Sequence, residues 1–168
     1  MAAPTVQAFL RKLIDDVAET VFTDDELQAQ LDLHKTHVYY EPILYNENRK
    51  AFYTGQRFLT DAYIYDSSDE DDQTAYTPST SNLLEGWFEF STEQTVTLYL
   101  KAYSYNVYAA ASDCWLTLAT TKWQMFSNMI GGTQETLSQI YDHAVRQHQY
   151  YRRLAFSGQT KQVSRRYD

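Results

Sequence analysis

The apolar residues of this chain change their spacing twice, and that double switch limits the available folds more than any single motif does. Before Pro42 they recur every three to four residues, between Pro42 and Lys101 they alternate, and from Tyr103 onward the helical interval returns. Val6, Phe9, Leu10, Leu13, Ile14 and Val17 hold the helical period behind a capping Thr5, predicting a first helix that ends near Val21. Phe22-Thr23-Asp24-Asp25-Glu26-Leu27 follows. It pairs Thr23 with Glu26 as a capping box and Phe22 with Leu27 as a hydrophobic staple, and its acidic first turn suits the helix dipole. The second helix uses Leu27, Leu31, His34 and Val38 as its inner stripe and stops by Tyr40, because Pro42 disfavours helical geometry at Glu41.

The middle of the chain reads as strands. Residues 58–66, 83–90 and 96–101 are rich in β-formers or alternate strictly, a weaker strand lies near 51–53, and Ser91-Thr92-Glu93-Gln94 reads as the hairpin loop joining the last two. Asp66 to Gln73, followed by Thr77-Pro78-Ser79, is a polar, solvated connection. Beyond it, Val107, Ala110, Ala111, Cys114, Trp115 and Leu118 share one helical face, as do Leu137, Ile140, Tyr141, Ala144, Val145 and Tyr151. The two helices are joined by a loop containing Gly131-Gly132, and Thr136 with Gln139 fits a capping box for the second. Regular structure should end at Ser157-Gly158. The expectation is an α+β protein: two N-terminal helices and a C-terminal helical hairpin forming a four-helix layer, with one antiparallel sheet inserted between the second and third helices. Residues 1–157 would form a single domain with its β insertion at about 42–102, and 158–168 an extended tail too polar to fold alone.

Charge divides the chain unevenly. Residues 1–145 hold 8 basic and 21 acidic side chains, a balance of −13, whereas Arg146, Arg152, Arg153, Lys161, Arg165 and Arg166 stand against Asp168 alone beyond them. Such a body repels nucleic acid at long range, although a lumen through which DNA slides without sticking would suit it. The 15 tyrosines suit surfaces that become interfaces. Cys114 cannot form an intramolecular disulfide and is expected as a buried thiol. No run approaches the roughly 18 apolar residues of a membrane span, and the N-terminus lacks the order of a signal peptide, so a soluble protein outside the secretory route is expected.

Chemistry-bearing patterns are sparse. The acidic loop lacks the Gly and Glu that a calcium loop requires at its sixth and twelfth positions. His34 with His37 and His143 with His148 have no completing ligand set. Gly131-Gly132-Thr133 lacks the lysine of a phosphate loop, no serine sits in a nucleophile elbow, and Cys114 has no local base. Neither an enzyme nor a metal or cofactor is expected. Tyr63, Tyr65, Trp87, Tyr99 and Tyr103 could form a platform that stacks on sugars, but packing and protein contact are the preferred reading for these rings.

Three stretches together resemble the head-tail connector (adaptor, or head-completion) proteins of long-tailed bacteriophages. They are VQAFLRKLIDDVAETVFTDDELQAQLDL at the start, YTPSTSNLLEGWFEFSTEQTVTLYLKAYSYNVYAAASDCWLTLA in the middle, and GGTQETLSQIYDHAVRQHQYYRRLA with a tail ending Arg165-Arg166-Tyr167-Asp168. The resemblance implies a structural virion protein of the neck, passing through the host cytoplasm during assembly. Neighbouring copies would form a ring, usually of twelve, under the portal protein. The ring would join the portal to the next neck or tail component, a stopper or terminator, and leave a channel through which double-stranded DNA passes without specific binding or any membrane contact. Carried onto this chain, Lys161, Arg165, Arg166 and Tyr167 are the expected portal contacts, with Asn128, Gly131 and Gly132 in a second contacting loop. Asp69, Glu70, Asp71, Asp72, Glu85 and Glu89 are the expected channel-lining acids. The alternative is an aromatic-rich glycan- or receptor-binding module of a virion.

Overall fold

The computed structural model describes residues 4–16, 21–122 and 134–160. The chain is of the α+β class and divides into two compact units. The helical unit comprises the chain up to His34 and from Asn106 onward, and the strand unit comprises Lys35–Tyr105.

In the helical unit, α1 spans Pro4–Leu13 and α2 spans Asp24–Leu33. After them come α3 at Val107–Thr117, continued by a π-helical turn at Leu118–Lys122, and α4 at Gln134–Thr160. α1 ends well short of Val21, and the cause is a buried ion network. Asp15 takes a left-handed φ of 57°, and the carboxylate of Asp16 accepts the N–H groups of Val21 at 3.1 Å and Phe22 at 2.8 Å. Arg11 is also buried. Its Nη1 donates to Asp16 Oδ2 at 3.2 Å and to the Phe22 carbonyl at 3.1 Å, and its Nη2 donates to Asp24 Oδ1 at 2.7 Å. One guanidinium therefore ties the end of α1 to the start of α2.

The capping box forms as expected: Glu26 N–H donates to Thr23 Oγ1 at 3.2 Å, and Thr23 N–H donates to Glu26 Oε2 at 2.9 Å. The helix it starts is shorter than expected. His34 is its C-cap, and Lys35–Pro42 is a strand. Thr36, Val38, Tyr39 and Tyr40 are types that favour a pleated, half-buried surface, and Thr36 and Val38 pair with Ser104 and Ala102 on a neighbouring strand. Val38 thus belongs to the strand core, while His34 Nε2 meets Asp113 Oδ2 at 2.7 Å and links α2 to α3. Trp115 Nε1–H donates to the Leu13 carbonyl at 3.2 Å, linking α3 to α1. Val6, Leu10, Leu27, Leu31, Val107, Ala110, Ala111 and Cys114 are fully buried, so the expected apolar face of α3 and the buried thiol are both present.

α4 is already helical at Gln134, so Thr136 lies inside it and is not its N-cap. It also continues past Ser157-Gly158 to Thr160. Ser157 Oγ donates back to the Leu154 carbonyl at 3.0 Å, a bond compatible with helix, and one helical glycine costs only about 1 kcal/mol. The Gly131-Gly132 loop and residues 161–168 of the expected tail lie outside the described residues.

The strand unit contains β1 (Lys35–Pro42), β2 (Leu44–Tyr45), β3 (Ala51–Tyr53), β4 (Leu59–Tyr65), β5 (Ala75–Tyr76), β6 (Thr80–Asn82), β7 (Trp87–Glu89) and β8 (Tyr99–Tyr105). It begins at Lys35, earlier than the expected residue 42. It holds two antiparallel sheets in place of the expected one, ordered β1-β8-β4-β5 and β2-β3-β7-β6. Their inward residues, among them Val38, Phe52, Leu59, Ile64, Phe88, Phe90, Leu98 and Leu100, form one core. Residues 91–94 are consequently not a hairpin loop but part of the passage from β7 in one sheet to β8 in the other. The long strand expected at 83–90 shrinks to Trp87–Glu89 because Gly86 sits in a turn at φ +70°.

Arg11→Ala leaves Asp16 buried beside an empty partner site and should cost about 3–5 kcal/mol in urea unfolding. Gly86→Ala places a Cβ 2.1 Å from the Gln56 carbonyl oxygen at a left-handed φ. It should lower the melting temperature by more than an exposed glycine-to-alanine change such as Gly55→Ala, which meets nothing within 4 Å.

Candidate functional site

Strand β8 alternates Tyr99, Leu100, Lys101, Ala102 and Tyr103, so Leu100 and Ala102 enter the core while the tyrosines and Lys101 occupy the opposite face. Its neighbours extend that face. His37 of β1 pairs opposite Tyr103, and Tyr63 and Tyr65 of β4 pair opposite Lys101 and Tyr99. A bulge between Val38 and Glu41 admits both Tyr39 and Tyr40, the latter at φ 48°, beside Lys101. The rings are in mutual contact. Lys35 Nζ lies 3.8 Å from the centre of the Tyr103 ring, His37 stacks on Tyr103 at 4.9 Å, Tyr39 meets His37 at 5.4 Å, and Tyr40 meets Tyr39 at 4.6 Å. Tyr39 and Tyr63 are 58% and 56% exposed, a large apolar area to leave in water.

The acidic loop after β4 is exposed as expected, yet it is also fastened to this face. Glu70 Oε1 accepts from Lys101 Nζ at 2.7 Å and from the Tyr40 hydroxyl at 3.1 Å, and Lys101 Nζ also reaches the Tyr40 hydroxyl oxygen at 3.3 Å. Lys101, then hydrogen bonds from Tyr39 and Tyr40, hold the Glu70 carboxyl below its ordinary range. The Glu70 carboxylate in turn raises Lys101 and, by hydrogen bonding ahead of partial desolvation, raises the Tyr39 phenol. At neutral pH the cluster therefore holds a Glu70 carboxylate, a Lys101 ammonium and a neutral Tyr39 phenol.

Of the expected aromatic platform, Tyr63, Tyr65, Tyr99 and Tyr103 come together here, whereas Trp87 lies in the other sheet. Lys35, His37, Tyr39 and Tyr40 join them unannounced, because 35–40 reads as helix; their density of aromatic and β-branched types was the available signal. Among the expected channel acids, Asp69, Glu70, Asp71 and Asp72 share the loop, and Glu70 is engaged by Lys101. Glu85 is in the turn before β7, where its carboxylate accepts from Asn82 at 3.2 Å, and Glu89 ends β7; both are exposed. Lys161, Arg165, Arg166, Tyr167, Asn128, Gly131 and Gly132 lie outside the described residues.

In the helical unit, Gln149, Arg152, Arg153, Phe156 and Ser157 line an open groove along α4, and Phe156 is 60% exposed. Deeper in that unit, Ser112 and His148 look at first like a nucleophile and its base. His148 Nδ1 lies 2.9 Å from both the Ser112 hydroxyl and the Ser112 carbonyl oxygen. Ser112 Oγ also donates to the His148 carbonyl at 3.2 Å, so the pair clamps α3 to α4. Among the described residues no group of three or more His, Cys, Asp or Glu side chains could hold a metal ion, and no helix is long and apolar enough to cross a membrane.

Fold and surface together define an α+β protein that presents an aromatic, charge-pinned sheet face and an arginine-lined helix. Comparison with protein-family models, with curated proteins and with solved structures found no match for the chain.

Folding lowers the Glu70 pKa, so its contribution is complete above the ordinary carboxylate range and is lost as the pH falls through the folded value. Lys101 is raised, so its contribution is complete below its ordinary pKa and is lost only in alkali. The loop should stay attached across the neutral range. A carbon-detected NMR titration should place the Glu70 midpoint below that of exposed glutamates, and Lys101→Ala should move it upward.

Proposed function

We propose that this chain is a structural virion protein: a head-tail adaptor whose copies form a ring beneath a portal, join the capsid to the next neck or tail component, and leave a channel for double-stranded DNA. The observation that carries the reading is the order of the elements. Two helices precede the strand unit, which enters the chain between α2 and α3, and α3 and α4 complete the helical unit before a basic C-terminus. That order is the one implied by the resemblance in the opening, middle and closing stretches. The junctions suit an insertion, since Asn106 N–H donates to the His34 carbonyl at 3.0 Å and brings the two cut ends of the helical unit side by side. The surplus of acid in the body favours a channel role over DNA capture, and Asp69, Asp71 and Asp72 are exposed and available for it.

A second reading keeps the virion but changes the task. The exposed rings of Tyr39 and Tyr63 beside Tyr103 offer a stacking surface for a glycan or receptor. A glycan array with the isolated chain separates the two: selective glycan binding by a chain that never forms rings supports this reading over the adaptor.

Imaging of assembled particles carrying a tagged copy should place the tag at the neck in a ring. A tag on fibres or on the capsid surface would remove the adaptor reading. Truncation after Thr160 deletes Lys161, Arg165, Arg166 and Tyr167 while keeping α4, and it should abolish portal attachment with circular dichroism and melting unchanged. Normal attachment of that truncation would overturn the role assigned to the tail.

A further inference from the structure

Two exposed surfaces among the described residues, one in each unit, are chemically complementary. On the strand unit, Glu70 is paired with Lys101 and Lys35 lies over Tyr103, so the exposed Asp69, Asp71 and Asp72 of the loop that Glu70 fastens to this face outnumber its one remaining ammonium, and Tyr39 and Tyr63 expose their rings on it. On the helical unit, α4 has no acidic residue after Asp142, and Arg152 and Arg153 flank the exposed ring of Phe156 in one groove. Five of the six basic residues after Val145 are arginines. The choice of arginine matters, because its planar guanidinium both stacks on aromatic rings and pairs with carboxylates in two-point geometry, where lysine offers a point charge.

We infer that the occupant of the tyrosine face is a second copy of this chain, docked through the Arg152–Arg153–Phe156 groove of its α4. The contact is heterologous, pairing one surface with a different one, so every copy that receives a neighbour still offers its own groove to the next. Contacts of that kind propagate and close into rings when the rotation permits. The inference rests on the ring reading for closure, but the contact itself stands on the charge and ring chemistry of the two surfaces. Long-range attraction between an acidic face and a basic helix weakens as salt rises, so self-association should fall with ionic strength.

The test uses two charge-reversed full-length chains. Arg152→Glu with Arg153→Glu makes the groove acidic, and Asp71→Arg with Asp72→Arg makes the face basic; all four positions are exposed. Sedimentation across protein concentrations up to the millimolar range should show self-association weakened on the order of tenfold or more in each variant alone. An equimolar mixture should recover wild-type association, because each reversed groove then meets a reversed face and each native groove a native one. Tyr63→Ser, an exposed change, should weaken association without altering the melting temperature. Wild-type association by both single variants, or no recovery in the mixture, would overturn the contact, as would a wild-type chain that stays monomeric throughout. The neck images judge the ring reading separately, and rings there together with unaffected variants would leave the ring standing and remove this interface.

Discussion

The strand unit depends on the two-residue alternation of β8. That strand is bonded on both sides, to β1 and to β4, so a slip of one residue would carry Leu100 and Ala102 into water and bring Lys101 into the core. The register is held by burial. Once Leu100 and Ala102 are inside, Tyr99, Lys101 and Tyr103 have to stand on the other face, and the side chains paired opposite them on the flanking strands decide its character. Lys101 then becomes its electrostatic centre, reaching Glu70 on one side and the ring faces of Tyr39 and Tyr40 on the other. The core and the candidate site are thus two consequences of one pattern.

Local chemistry made parts of this legible in advance. The Thr23–Glu26 capping box needs only four residues and formed as read, and the apolar stripe of α3 needs only the helical period. Position 51–53 and most of 58–66 were recognisable by composition. What escaped depended on partners distant in sequence. β1 could be taken as the end of α2 because Leu27, Leu31 and Val38 also fit a helical stripe, and only its pairing with the distant β8, from Lys35 with Tyr105 to Pro42 with Tyr99, decides otherwise. The division into two sheets turns on the passage from β7 to β8, and the shortening of the strand at 83–90 on a left-handed glycine at position 86. Nothing local distinguishes that passage from a hairpin. The burial of Arg11 follows from the folding-back of Asp16, Phe22 and Asp24 around it, which no local pattern announces.

The functional reading draws on both units without requiring a cleft. Ser112 and His148 clamp two helices, and Cys114 is enclosed in the helical core. What the molecule exposes is extended: a sheet face rich in tyrosine and a helix rich in arginine.

The bulge in β1 bears on how such a chain behaves in a crowded cell. β1 is the outermost strand of its sheet, and a flat strand of eight residues there would offer an open row of backbone donors and acceptors to any extended peptide, including the same strand of a sister molecule. The left-handed Tyr40 breaks that row midway, and Pro42 removes a donor near its end. The free edge of β1 is therefore a poor template for strand-to-strand association with a sister molecule.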